Sequence, residues 1–96
     1  MSKRDELIEN LKKQLDGWND KIAAIETKVR DSGSKVQDKY KNDFENLKNK
    51  RDELADKLNK VKTSGGDAWE EVKLGAKESA QTLKNTFEKV RSKFKS

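Results

Sequence analysis

The segment IENLKKQLDGWNDKIAAIETKV, residues 8–29, carries Ile8, Leu11, Leu15, Trp18, Ile22, Ile25 and Val29 at spacings of 3, 4, 3, 4, 3 and 4 without a break. Apolar residues at that alternation form one continuous seam along a helix, the heptad pattern of a coiled coil. A stripe of this kind is unstable in water, so its cover must come from later in the same chain or from a second copy.

Composition limits what that cover can be. Of 96 residues, 43% are charged and only 30% hydrophobic, so any core is narrow. Leu, Ile, Val and Phe number 19, at the edge of the disordered range, yet the net charge is only +5 and the periodicity decides for a folded chain. Ala, Glu, Lys, Leu and Arg make up 46 of the 96 residues, which suits long helices. There is no Pro, so glycines and their polar neighbours set the topology. The absence of Cys and His excludes disulfides, zinc sites of the usual ligand types, thiol nucleophiles and a His general base. The start, Met1-Ser2-Lys3-Arg4-Asp5-Glu6-Leu7, has no apolar run behind its charges and no stretch reaches the length of a membrane span, which predicts a reducing, cytoplasmic setting.

Three helical segments follow in order. Ser2 to Asp5 offers a capping start, and a helix over about 4–31 carries Glu9–Lys13 and Glu26–Arg30 as i,i+4 pairs. Asp31-Ser32-Gly33-Ser34 gathers four residues that favour turns and caps, and predicts a reversal there. The alternative is one long helix in which Gly33 is a weak point costing about 1 kcal/mol against Ala. A second seam, over about 35–62, runs through Val36, Tyr40, Phe44, Leu47, Arg51, Leu54, Leu58 and Val61, with Glu53–Lys57 and Asp56–Lys60 outside it. Arg51 can occupy a seam position because its stem lies along apolar neighbours while the guanidinium reaches water. Thr63-Ser64-Gly65-Gly66 is a clear break, since adjacent glycines lose too much backbone entropy inside a helix. Asp67 as N-cap with Glu70 three residues on opens a third helix, about 67–94, whose stripe is Trp69, Val72, Ala76, Ala80, Leu83, Phe87, Val90 and Phe94.

Three segments of about 27 residues, each about 40 Å long at the helical rise, predict an all-α fold as an antiparallel three-helix bundle in a single domain spanning 1–96. Reversal near Gly33 and Gly65 sets up seven layers, from Ile8 with Leu58 and Val72, through Trp18 with Leu47 and Leu83 and Ile22 with Phe44 and Phe87, to Val29 with Val36 and Phe94. Were residues 31–35 to stay helical, the same contacts would form between two chains, as a long helix plus a short helix in a domain-swapped antiparallel dimer.

The run Ser64-Gly65-Gly66-Asp67-Ala68-Trp69-Glu70-Glu71-Val72-Lys73, continued by Gly75, Leu83-Lys84, Phe87 and Ser92-Lys93-Phe94-Lys95, resembles a family of small bacterial proteins described only as coiled coil domain-containing. The similarity extends more loosely upstream through Leu15-Asp16-Gly17-Trp18 and residues 40–58. The resemblance implies helical coiled-coil character and brings no activity, substrate, cofactor or site residue. The chain departs from it at Ala80-Gln81, where relatives often carry a second Trp, and at Ser32-Gly33-Ser34, where they have helix-forming residues.

No constellation reads as catalytic, cofactor-binding or metal-binding. Ser32-Gly33-Ser34-Lys35 matches a Ser-x-x-Lys string but lacks the further motifs of the acyl enzymes that use one, so turn chemistry explains it. Ser64-Gly65-Gly66-Asp67 has neither the preceding strand nor the Gly-Lys sequel of a phosphate loop. Acidic groups such as Asp5, Glu6, Glu9 and Asp52, Glu53, Asp56 alternate with bases as a solvated face does. Trp18 and Trp69 fall on seam positions and read as packing residues.

By segment the charge is 0 for residues 1–31, +3 for 32–62 and +2 for 63–96, an excess spread out with no evident stripe. With 18 acids interleaved, specific nucleic-acid binding is not expected, nor is a small-molecule ligand. The expected function is that of a non-enzymatic helical structural or protein-interaction protein, as a monomer or a self-associated homodimer. The alternative is reversible binding to an anionic membrane surface through the amphipathic C-terminal helix, where Lys84, Lys89, Arg91, Lys93 and Lys95 flank Phe87, Val90 and Phe94.

Overall fold

The protein, seen in a computed structural model that describes residues 2–95, contains three helices and no strand among those residues. Helix α1 spans Lys3–Asp31, α2 spans Ser34–Thr63 and α3 spans Trp69–Lys95, with one 3₁₀ turn, Gly66–Ala68, before α3. They pack as a three-helix bundle 50 Å long and 20 by 19 Å across.

Local chemistry accounts for each boundary. Ser2 caps α1, its Oγ accepting the Asp5 N–H at 3.1 Å, with Asp5 and Glu6 at the positive end of the helix dipole. At the other end the Gly33 N–H donates to the Arg30 carbonyl at 3.2 Å, and the Ser32 hydroxyl donates to the Lys28 carbonyl at 2.9 Å. Gly33 then takes φ 110° and ψ 163°, a region open almost only to glycine, and the chain reverses. The two-residue link Ser32-Gly33 thus closes the first seam within one chain in place of a continuous long helix.

The second link differs from expectation. Ser64 and Gly65 are extended, the Ala68 N–H donates to the Gly65 carbonyl at 3.2 Å, and α3 begins at Trp69 instead of residue 67. Asp67 lies inside the 3₁₀ turn and makes no capping hydrogen bond, because the turn has already drawn the chain into helical winding before its side chain could act as N-cap.

The core is the three seams. Leu11, Ile22, Ile25 and Val29 of α1 meet Tyr40, Phe44, Leu47, Leu54, Leu58 and Val61 of α2 and Ala76, Leu83, Phe87 and Val90 of α3, all buried. Arg51 snorkels as its stem allows, its Nη2 reaching Asp52 Oδ1 at 3.2 Å. Two aromatic contacts bridge adjacent layers: Phe87 meets Trp18 edge-on at 5.3 Å and Phe94 meets Tyr40 edge-on at 5.8 Å between ring centroids. Side chains lean toward the N-terminus of their own helix, so on the antiparallel pair α2 and α3 the Tyr40 and Phe94 rings converge from neighbouring layers.

Outside the core, the expected Glu26–Arg30 pair forms at 3.8 Å, and Glu26 also reaches Lys48 of α2 at 3.1 Å. The expected Glu9–Lys13, Glu53–Lys57 and Asp56–Lys60 pairs are not formed. Glu53 turns to Lys50 at 3.8 Å, and the Lys57 stem lies over Gly75 of α3, 3.8 Å from where a Cβ would stand. A surface ion pair gains about 0–1 kcal/mol, too little to hold a lysine that can pack instead.

Candidate interaction groove

Helix α2 packs closely on both neighbours, whereas α1 and α3, which run parallel, touch only sparsely. The Trp18–Phe87 edge contact spaces them, and the small residues Gly17, Ala76 and Ala80 leave the gap above it unfilled. The result is a surface groove with two successive openings that share Lys21.

The first opening, about 670 Å³, has Leu7, Leu11, Trp18, Ala76 and Ala80 as its apolar lining and Lys21, Lys77 and Lys84 among its polar lining residues. The second, about 450 Å³, is floored by Ile25, Phe87 and Phe94 and edged by Lys21, Lys28 and Arg91. No Asp or Glu lines either opening. The clefts on the other sides of the bundle differ: Asp43 and Glu88 share one with Lys89 and Lys93, and Glu26, Asp38 and Glu45 share another with Lys41 and Lys48. All five groove cations are exposed, and none forms an ion pair with a described carboxylate. Lys21 Nζ stands 4.8 Å from the centroid of the half-buried Trp18 ring, a cation–π contact at the middle of the groove.

This arrangement corrects the expectation of a diffuse charge excess. Counting by segment averages α1 to neutrality, but its bases Lys21 and Lys28 face α3 while Asp16 lines the cleft toward α2. One signal was present in the sequence: Lys77, Lys84 and Arg91 recur every 7 residues, as do Gln14, Lys21 and Lys28. What the sequence could not supply is that these two rows face one another.

The other singled-out residues serve the fold. Ser32 is occupied at the end of α1 and stands exposed with Ser34 and Lys35, with no buried partner for acyl chemistry. The Ser64 hydroxyl donates to the Val61 carbonyl at 3.4 Å, closing α2. Trp69 is half-buried beneath Arg4, whose guanidinium carbon lies 5.5 Å from its ring centroid. Among the described residues no group of three or more acidic side chains is placed to hold a metal ion, and no helix is long and apolar enough to cross a membrane. Comparison of the chain with protein-family models, curated proteins and solved structures finds no match.

Proposed function

We propose that this chain is a non-enzymatic helical protein-interaction module of the cytoplasm, acting as a folded monomer through the α1/α3 groove. The observation that carries this reading is the groove itself. The bundle closes two of its three helix pairs tightly and leaves the third with apolar side chains accessible beneath a rim of cations. Exposed apolar surface enclosed by polar residues is the usual mark of a protein contact. In this reading the surface of α2 serves solubility, its acids and bases being mixed throughout.

Photo-crosslinking in cells producing the protein tests it. A photoreactive residue replacing Gln81, on the groove, is expected to give discrete protein adducts, and the same residue replacing Asn42, on the exposed outside of α2, to give none. Absence of adducts from both positions, or identical adducts from both, overturns the reading.

A second reading, reversible attachment to an anionic membrane surface through α3, draws on Arg91 and Phe94 sharing one edge of that helix. It requires α3 to leave the bundle, because Leu83, Phe87 and Val90 are buried in the core. Co-sedimentation with anionic vesicles at low salt, accompanied by loss of core protection, is its signature, and no sedimentation removes it.

A further inference from the structure

We infer that the α1/α3 groove takes an acidic amphipathic helix from a different protein, laid along both helices so that the three-helix bundle becomes a four-helix one. The inference rests on the interaction reading above and names the partner's chemistry.

Three observations carry it. The cations repeat with the heptad: Lys77, Lys84 and Arg91 on α3, Lys21 and Lys28 on α1, each 7 residues from the next. In coiled coils, charges at that repeat beside an apolar seam pair with opposite charges on the facing helix. Acids are absent from both openings, whereas the clefts lined by Asp16, by Asp43 and Glu88, and by Glu26, Asp38 and Glu45 each carry at least one, so the groove is complementary to negative charge. The apolar floor is recessed, Ile25 and Phe87 being 7% and 8% exposed, and the small residues Gly17 and Ala80 leave sockets beside it. Leucine side chains projecting from a helix can enter such sockets, whereas a planar bilayer meets the rim cations without reaching the floor.

The length also fits. At the helical rise, the cation row from Lys77 to Arg91 extends over about 21 Å, about four turns paired with about two heptads of the incoming helix. A second folded copy is a poor occupant, because Leu74, 59% exposed, is the one large exposed apolar side chain among the described residues and forms no stripe.

The test uses the full chain and a labelled synthetic peptide of about four heptads with Leu at the a and d positions and Glu at e and g. Fluorescence anisotropy at low salt is expected to show saturable binding, weakened at least about tenfold in the double variant Lys21→Glu/Lys84→Glu, with the far-ultraviolet circular dichroism of the free protein unchanged. A second variant acts without changing charge. Gly17→Leu places a side chain where nothing lies within 4 Å of the added Cβ, and is expected to block the peptide while keeping the bundle folded. Raising salt from about 50 to about 500 mM should weaken binding, and replacing every peptide Glu by Gln should abolish most of it.

The proposal is overturned by failure of the acidic peptide to bind, by equal binding of the Gln peptide, or by indifference to both variants. It is equally overturned if the Lys21→Glu/Lys84→Glu pair abolishes a tighter association with vesicles of equal phosphatidylglycerol and phosphatidylcholine, with a thymidine oligonucleotide, or with a second copy of the chain. If Gln81 crosslinks persist while the peptide fails, the interaction reading stands and the acidic-helix partner is wrong; if both fail, both are wrong.

Discussion

Two glycines and a tryptophan show how little residue type alone determines. Gly33 holds φ 110°, so Gly33→Ala forces a methyl-bearing residue into a region that costs about 1–3 kcal/mol. The expected result is a lower urea midpoint and, because Ala favours continued helix, a population of dimer whose mass rises with concentration in light scattering. Gly17 sits inside α1 with nothing within 4 Å of an added Cβ, so Gly17→Ala should raise stability by about 1 kcal/mol through helix propensity. An unchanged or lower melting temperature would contradict the open groove beside it. Trp18 belongs to the seam yet is only half-buried, one edge on Phe87 and one face under Lys21. Trp18→Ala should cost about 2 kcal/mol by urea denaturation, below the roughly 3–5 kcal/mol of a fully buried ring. The seam position of Trp18 was legible from spacing; its partial exposure was not, because that depends on Ala80 and Gly17 being small across an interface between segments about 60 residues apart.

Among the elements, α2 is the one that both others need. It contributes six buried residues, from Tyr40 to Val61, of which Leu47, Leu54 and Val61 are fully buried, and packs on α1 and α3 alike, while those two barely meet. Amide exchange protection follows such packing. The slowest amides are therefore expected in α2 around Leu47–Leu54, with α3 exchanging faster from its C-terminal end; uniform protection across the three helices would refute the two-sided role of α2. The limits of these elements show where sequence reasoning holds. The end of α1 was readable in part, because Asp31-Ser32-Gly33-Ser34 gathers turn and cap formers; that the chain reverses there and does not continue as one long helix is decided by Gly33 taking φ 110°. The start of α3 was displaced by two residues because a 3₁₀ turn and an Asp N-cap compete for the same backbone groups, and Gly65 in extended conformation decides for the turn. The surface pairs were least legible. Each is separated from its alternatives by a fraction of a kcal/mol, as Lys57 leaving Glu53 for Gly75 shows.

At the scale of the whole molecule, the closed seam predicts a mass of 11.0 kDa in light scattering, independent of concentration. A stable dimer would mean that the groove is filled by a second chain and would remove it as a docking face. The antiparallel path has one more effect. An odd number of helices places residues 2 and 95 at opposite ends of a rod 50 Å long. Tension applied through those ends runs the length of α1, back along α2 and out along α3, so it slides each helix past α2 along their shared axis and loads the layers together. A bundle with an even number of helices brings both ends to the same side and opens one layer at a time. Joined head to tail, copies of this chain would act as stiff links that bear load in shear, and their extension under force should come in discrete steps, one per bundle.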